Sequence, residues 1–202
     1  MNRKYLLLAF AISGFTALVY EIVWTRPLEI IFGSTIYAVS TMLTTFFIGF
    51  ALGSYLFRNI SDRSQNSLKL FAILQLGIGL YGLGMIYLLK ILPSIYLPLV
   101  ENSELQLVKF LFIFLVLIIP TTLLGATWPV MNKSYINLSQ TGKDVGRLYA
   151  SNSFGSFLGP IAAGFILIPL FGIRNTSILA SLLNILLGIF ILTSFKGGKD
   201  GF

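Results

Sequence analysis

The sequence predicts an all-α integral membrane protein, with six transmembrane helices that form two inverted three-helix repeats. Composition is the first reason, because 56% of the 202 residues are hydrophobic and only 10% are charged, whereas about 25% are charged in soluble domains. The mean hydropathy of +0.88 is the second reason. The third is that no long apolar segment alternates with a period of two, so helices rather than strands must satisfy the backbone inside the bilayer.

Six segments are expected to cross the membrane, because a spanning helix needs about 20 predominantly apolar residues. They are residues 5–24, 36–57, 70–92, 108–127, 148–171 and 176–195. The first has no small-residue cleavage site of a secretory signal peptide, so it should remain as a membrane helix. The connections leave no room for a soluble domain, and residues 1–202 are therefore expected to form a single membrane domain.

The distribution of Lys and Arg predicts the orientation of the chain. If the amino terminus lies in the cytoplasm, ten of the 14 basic residues fall inside and four outside, as the positive-inside rule requires. The four are Arg26, Lys90, Lys109 and Arg174. Both termini, the loops 58–69 and 132–147 and the short tail 196–202 should therefore lie on the cytoplasmic side of the inner cell membrane. Loop 132–147 is long enough for an amphipathic interfacial helix.

Several classes of chemistry are excluded by composition. The chain has no Cys and no His, which removes thiolate and imidazole metal ligands and histidine general bases. No paired base and nucleophile is evident, so we expect no catalytic residue, metal or cofactor. Topology explains the basic charge, and no basic run interleaved with aromatic residues predicts nucleic-acid binding. The GxGxxG pattern of Gly77, Gly79 and Gly82 lies inside an apolar segment, where it is typical of helix packing.

The second and fifth segments share features that predict an internal repeat. They begin with IYAVS and LYASN, and each then carries two glycines at GxxxG spacing, which are expected to pack against other helices. These are Gly49 with Gly53 and Gly155 with Gly159. Each segment also follows a helix that ends with a Trp close to a Pro: Trp24 with Pro27, and Trp128 with Pro129. Two consecutive three-helix units have opposite orientations in the membrane, as in many transporters; coincidence of common membrane residues is the alternative.

Glu21 is the conspicuous charge in the first segment, within LVYEIVWTR. A charge at the bilayer centre costs about 2.5–3.5 kcal/mol on insertion scales, so this carboxylate requires a partner or a function. In one hypothesis Tyr20, Glu21, Trp24 and Arg26 form the polar floor of an outward-facing cavity that binds a small cation such as a polyamine. In the other, Glu21 is part of an interfacial anchor and pairs with Arg26 or Arg174.

Three amides lie in the third, fifth and sixth segments, namely Gln75, Asn152 and Asn184. Amides in membrane helices usually bond a neighbouring helix, which is the simpler interpretation here. Asn152 is the candidate for a ligand role, because it lies in the repeated element and at a depth where a cavity between the repeats would be lined. Pro120 and Pro160 can kink their helices and help to open such a cavity.

Five stretches carry a resemblance to a known family. They are SGFTALVYEIVWTR (13–26), GSTIYAVST (33–41), GFALGSYL (49–56), LLGATWPV (123–130) and GRLYASNSFGSFLGPIAAGFILIPLFG (146–172). In this order they resemble the membrane portion of fused spermidine-synthase-like proteins, which join a multi-helix region to an aminopropyltransferase-like domain. These 202 residues contain no such catalytic domain. The resemblance therefore implies a membrane module that works with a separately encoded, soluble aminopropyltransferase-like enzyme, and no aminopropyl transfer by this chain.

A fainter resemblance is to a six-helix half of the major facilitator superfamily. The loop FRNISDRSQN places Asp62 and Arg63 where that family has an Asp-Arg pair, although Arg58 replaces its Gly and Ser64 begins a stretch without its basic residues. This likeness implies a conformational role in which the pair binds a helix end. A solvated pair of loop charges is the alternative.

Two functions are consistent with these observations. One is a membrane scaffold or partner subunit for a separately encoded enzyme. The other is a dimeric half-transporter for a small cation, because six helices enclose half of the pathway of a twelve-helix carrier. The expected partners are the lipid bilayer and a second copy or another membrane protein, which would bury the GxxxG faces of the second and fifth helices.

Overall fold

The computed structural model describes residues 2–100 and 106–196, and this part of the chain is helical with short connections. The helices are α1 (Arg3–Phe32), α2 (Thr35–Arg63), α3 (Ser67–Val100), α4 (Gln106–Tyr135), α5 (Thr141–Ile161) and α6 (Ile168–Lys196). A 3₁₀ turn, Leu138–Gln140, precedes α5, and a π-helical segment, Ala162–Leu167, joins α5 to α6. The expected all-helical class is confirmed for the described residues.

Five helical stretches in the described residues are long and apolar enough to cross a membrane. The last of them, Leu138–Ser194, contains 57 residues, and at 1.5 Å per residue it is about 85 Å long, far more than a bilayer core of about 30 Å. Gly172 interrupts this stretch, because its backbone has φ 77° and ψ 168°, which no helix can contain. Only glycine adopts this conformation readily.

The helices extend beyond the boundaries expected from hydropathy. α4 continues to Tyr135 and α5 begins at Thr141, so loop 132–147 is mostly helix and contains no separate interfacial helix. The expected amphipathic element was wrong, because polar residues there complete the ends of long helices. The loop 58–69 is likewise reduced to the residues between Arg63 and Ser67. Residues 101–105 and the tail residues 197–202 lie outside the described part.

Three helix pairs form most of the packing: α2 with α4, α1 with α5, and α3 with α6. The pairs α3 with α4 and α1 with α6 join them into one bundle. Helix α1 is central, and its buried side chains include Phe10, Val19 and Leu28. The long exposed apolar faces of the other helices suit a protein whose solvent is hydrocarbon rather than water.

Glycines permit the closest helix approaches. A Cβ atom at Gly49 would overlap Thr121 of α4, and one at Gly155 would overlap the Ala11 carbonyl of α1. Gly53 and Gly159 contact the same two partner helices one turn further on. All four glycines are therefore used inside the chain. The expectation that a second chain would bury them was wrong, because α1 and α4 already cover them.

Two prolines in α4 leave carbonyl groups that neighbouring hydroxyls satisfy. Proline has no N–H, so the carbonyl four residues before it lacks its usual helical donor. Tyr81 donates to the carbonyl of Val116, four residues before Pro120, at 2.7 Å. Ser54 donates in the same way to the carbonyl of Gly125, four residues before Pro129, at 3.1 Å. These bonds tie α4 to α3 and α2 at its two proline positions.

Candidate functional site

Buried polar side chains connect α1 to α3 and α6 in the interior of the bundle. Gln75 Nε2 donates to Ser13 Oγ at 2.7 Å, and Thr16 Oγ1 donates to Asn184 Oδ1 at 2.7 Å. Asn184 Nδ2 in turn donates to the Tyr20 hydroxyl at 3.1 Å. All five side chains are buried. Hydrogen bonds between membrane helices are worth about 0.6–2 kcal/mol each, so this network fixes α1 against two neighbours.

Tyr20 and Trp24 form a stacked pair inside the bundle. Their ring centroids are 4.7 Å apart with an interplanar angle of 21°, and both residues are almost fully buried. The Tyr20 hydroxyl also lies 3.2 Å from Ser181 Oγ, to which it donates. Because each ring is covered by protein, neither is free to stack on a ligand cation in this conformation.

The four residues expected to form an outward-facing cavity floor are not brought together as one site. Tyr20 and Trp24 pack into the core, whereas Arg26 is exposed and pairs with Glu29 at 3.3 Å. The alternative pairing of Glu21 with Arg26 was therefore wrong. Glu21 is half-buried and takes part in none of the salt bridges among the described residues.

A small cavity lies between α1, α2, α4 and α5. Its volume is about 40 Å³, which accommodates a few water molecules but not an extended polyamine. Its lining consists of Ser13, Gly14, Ala17, Leu18, Phe50, Leu124, Thr127, Trp128, Asn152 and Ser156. Its polar residues carry hydroxyls, one amide and the indole N–H of Trp128, without a formal charge. The cavity is thus a polar pocket inside an apolar bundle.

Asn152 lines this cavity and also joins two helices. Its Nδ2 donates to the Phe10 carbonyl of α1 at 3.1 Å, which leaves Oδ1 as an acceptor. The neighbouring Ser151 donates to the Leu7 carbonyl at 2.6 Å. The structure therefore places Asn152 in the α1–α5 interface and beside the cavity, whereas Tyr20, which stacks on Trp24, bonds α6.

An ionic cluster joins the beginnings of α1 and α5 to the end of α4. Asp144 is completely buried and accepts a hydrogen bond from the Asn137 backbone N–H at 3.0 Å. Arg3 forms a salt bridge with Asp144, donates to the Tyr135 carbonyl at 3.1 Å, and stacks over the Tyr135 ring. The Asn137 N–H and then the Arg3 guanidinium hold the pKa of Asp144 below its usual range.

Lys133 caps the end of α2. Its ammonium donates to the backbone carbonyls of Ser61, Asp62 and Ser64 at 2.8, 2.5 and 2.9 Å, which is where a helix dipole favours a cation. The side chains of Asp62 and Arg63 are exposed and form no salt bridge within the described residues. In this conformation, the side chains of Asp62 and Arg63 therefore bind no helix end within the described residues.

Sequence reasoning found the amides but missed their hydroxyl partners. Ser13, Thr16 and Tyr20 recur at helical spacing and therefore share one face of α1. That periodicity was available in the sequence and indicates a polar stripe on an otherwise apolar helix. The partner Ser181 on α6 had no comparable signal, because a lone serine is common in membrane helices.

Comparisons with protein-family models, curated proteins and solved structures found no match to this chain.

Proposed function

We propose that this chain is a six-span membrane module, built from two inverted three-helix repeats, that works as one half of a dimeric carrier for a small cation. The first three helices form one repeat and the remainder forms the other. Gly172 separates the fifth span from the sixth, since it interrupts a stretch too long for a single crossing. Both termini are proposed to lie in the cytoplasm, and the protein in the inner membrane of the cell.

The pattern of helix pairs supports the repeat and is the observation on which the proposal rests. Exchanging α1 with α4, α2 with α5 and α3 with α6 converts the α2–α4 pair into the α1–α5 pair. The same exchange leaves the α3–α6 pair unchanged and converts α3–α4 into α1–α6. The exchange therefore converts each of the strongest helix pairs of the bundle into itself or into another strong pair, as expected for two inverted repeats around a common axis.

Individual contacts follow the same exchange in the α3–α6 pair. Gly79 of α3 approaches Ile185 of α6, and Gly188 of α6 approaches Leu76 of α3. The separation along the chain from Gly79 to Gly188 equals that from Leu76 to Ile185. One contact is thus converted into the other by a single shift, which also relates the two buried amides of these helices.

The other two pairs follow two different shifts, because the separation from Gly53 to Gly159 is shorter than that from Phe15 to Ala126. Gly53 of α2 approaches Ala126 of α4, and Gly159 of α5 approaches Phe15 of α1. In both contacts a glycine approaches the backbone of a neighbouring helix. The two contacts lie at equivalent places in the two proposed repeats. Conservation of side-chain type is not required, because the glycine alone sets the close approach.

The proposed second copy would cover the exposed apolar faces of α2 and α5. These helices are equivalent in the repeat, and Phe47, Phe154 and Phe157 are 71%, 62% and 62% exposed. The cavity between α1, α2, α4 and α5 has a volume of about 40 Å³, too small for an extended polyamine, and the proposed pathway for such a solute lies between two copies. In twelve-helix carriers the pathway lies between two six-helix halves.

Cysteine cross-linking and uptake test the carrier proposal. Because the chain has no Cys, Phe157→Cys should form disulfide-linked dimers in membranes. Leu186→Cys on α6, with the same 62% exposure, is the matched control and should not. Proteoliposomes should take up labelled spermidine, the first cation to try, and cross-linking should stop the uptake. Absence of the Phe157 dimer, or uptake equal to that of empty liposomes, would contradict the proposal.

A scaffold function is the second candidate, and one pocket favours it. A cavity of about 420 Å³ at the proposed cytoplasmic face is lined by Arg58, Asp62, Asn132 and Lys133 among others. Asn132 Oδ1 is buried there without a hydrogen-bond partner, as expected of a group that a bound protein satisfies. Co-purification of a soluble aminopropyltransferase-like enzyme, lost in Asn132→Ala, would support this candidate; unchanged recovery in the variant would contradict it.

A further inference from the structure

The cavity between α1, α2, α4 and α5 lies on the proposed repeat axis. The exchange of repeats relates Ser13 to Leu124 and Phe50 to Ser156, and all four line the cavity. The contacts agree, because Gly14 approaches Ser156 in one repeat while Gly125 approaches Phe50 in the other. A pocket at the interface of inverted repeats is where carriers bind substrates and coupling ions.

The two walls of this cavity differ in chemistry although the backbone around it is symmetric. On the α1–α5 side the polar lining residues are Ser13, Asn152 and Ser156, whereas the α2–α4 side offers Phe50, Leu124, Trp128 and one hydroxyl residue, Thr127. Ser13 and Asn152 also bond neighbouring helices, but the Ser156 hydroxyl takes part in no hydrogen bond within the described residues, and a hydroxyl inside an apolar bundle needs a partner. The polar wall therefore indicates an occupant that oxygen atoms can bind.

The candidate ligands for a cation are neutral oxygens. The hydroxyl residues Ser13, Thr127 and Ser156 and the amide residue Asn152 line the space. Pro160 removes the N–H that would bond the Ser156 carbonyl in a regular helix, so this carbonyl oxygen lacks its helical donor. Neutral hydroxyl, amide and carbonyl oxygens without nitrogen, sulfur or several carboxylates suit a hard monovalent cation better than a divalent or transition metal.

The position of Glu21 supplies the charge that such an ion requires. The α1 residues that line the cavity, Ser13 with Gly14 and Ala17 with Leu18, recur every turn. The next turn of this stripe contains Glu21, which is half-buried and forms no salt bridge within the described residues. Glu21 is not one of the residues that line the cavity, but a carboxylate on the adjacent turn attracts a cation held there.

We propose that this cavity binds one dehydrated Na⁺ ion, held by oxygens of Ser13, Thr127, Asn152 and Ser156 and balanced by Glu21 on the next turn of α1. The volume of about 40 Å³ accommodates an ion of water size and excludes organic cations. The argument from the repeat axis rests on the proposed function, but binding itself requires only one folded chain. The site can therefore be tested on protein that neither dimerises nor transports.

Binding is measured directly with ²²Na⁺ and indirectly by thermal unfolding of the purified chain in nanodiscs, at constant ionic strength with choline replacing Na⁺. Saturable ²²Na⁺ binding and a melting temperature that rises with Na⁺ concentration are expected, since a ligand of the native state stabilises it. Ser156→Ala and Glu21→Gln should each raise the half-saturating Na⁺ concentration about tenfold or more. The matched control Ser54→Ala, whose hydroxyl bonds a carbonyl outside the cavity, should not change it.

Three results would overturn the site. The first is the absence of saturable ²²Na⁺ binding to the folded wild-type chain, which would mean that the cavity holds water. The second is equal stabilisation by choline and Na⁺, which would reveal an effect of ionic strength alone. The third is unchanged affinity in both Ser156→Ala and Glu21→Gln. Intact binding with no dimer in the Phe157→Cys assay would instead retain the site and refute the carrier.

Discussion

The close approach of α1 and α5 at Gly155 makes a sharp prediction for Gly155→Ala. The added Cβ would lie closer than 3.0 Å to the Ala11 carbonyl, and backbone cannot move aside as a flexible side chain can. The two helices would have to separate along their whole contact. Overpacking of this kind costs about 1–3 kcal/mol, in a pair of helices that forms one of the main contacts of the bundle.

Gly146→Ala is the matched control for this change. Gly146 lies in the same helix, and a Cβ there meets nothing within 4 Å. Replacing an open helical glycine with alanine stabilises a helix by about 0.8–1 kcal/mol. The free energies of unfolding of the two variants, measured by reversible denaturation in mixed micelles, should therefore differ by about 1–3 kcal/mol or more. Equal stability of the two variants would refute the packing reasoning.

Three further substitutions test other contacts. Asn184→Leu should lower the free energy of unfolding by about 1–3 kcal/mol, because it leaves two buried hydroxyls without their partner; an unchanged value would exclude the network. Tyr81→Phe should cost about 0.5–1.5 kcal/mol by freeing the carbonyl before Pro120, and wild-type stability would show that the bond is dispensable. The Asp144 carboxylate has a pKa below its ordinary value of 3.8, so its contribution is complete above that pH and is lost as the pH falls through the lower native pKa. Asp144→Asn should therefore be less stable than wild type at neutral pH, with the difference shrinking in acid, and a pH-independent difference would contradict this.

The helical class was predictable because hydropathy and charge distribution report directly on a membrane solvent. The glycines of α2 and α5 were also informative, since their GxxxG spacing coincides with close contacts in the structure. Their partners were not predictable, because a small-residue face does not specify which helix covers it. The register of the proposed repeat was only partly visible in the sequence, because the close glycine contacts relate Trp128 to Ala17 rather than to Trp24.

The surroundings of Glu21 could not be deduced from sequence neighbours. Tyr20 and Trp24 are close to it in the chain, but Tyr20 bonds α6 and stacks on Trp24, while Glu21 lies one turn beyond the α1 residues that line the cavity. Arg26 pairs with Glu29 because the two lie one turn apart on an exposed face. The cavity itself depends on four helices that are distant in sequence, so its existence required the tertiary structure.

Labelling of equivalent positions from the two sides of the membrane tests the inverted repeats most directly. Ser34 and Ser139 lie at equivalent connections of the two proposed repeats, and Asn66 is equivalent to the region of Arg174, which follows the helix break at Gly172. Single Cys variants at these positions should react with a membrane-impermeant maleimide from opposite sides: Ser34 and Arg174 in intact cells, Asn66 and Ser139 only after permeabilisation. Labelling of Ser34 and Ser139, or of Asn66 and Arg174, from the same side would contradict the inverted repeat and the six-span carrier built on it.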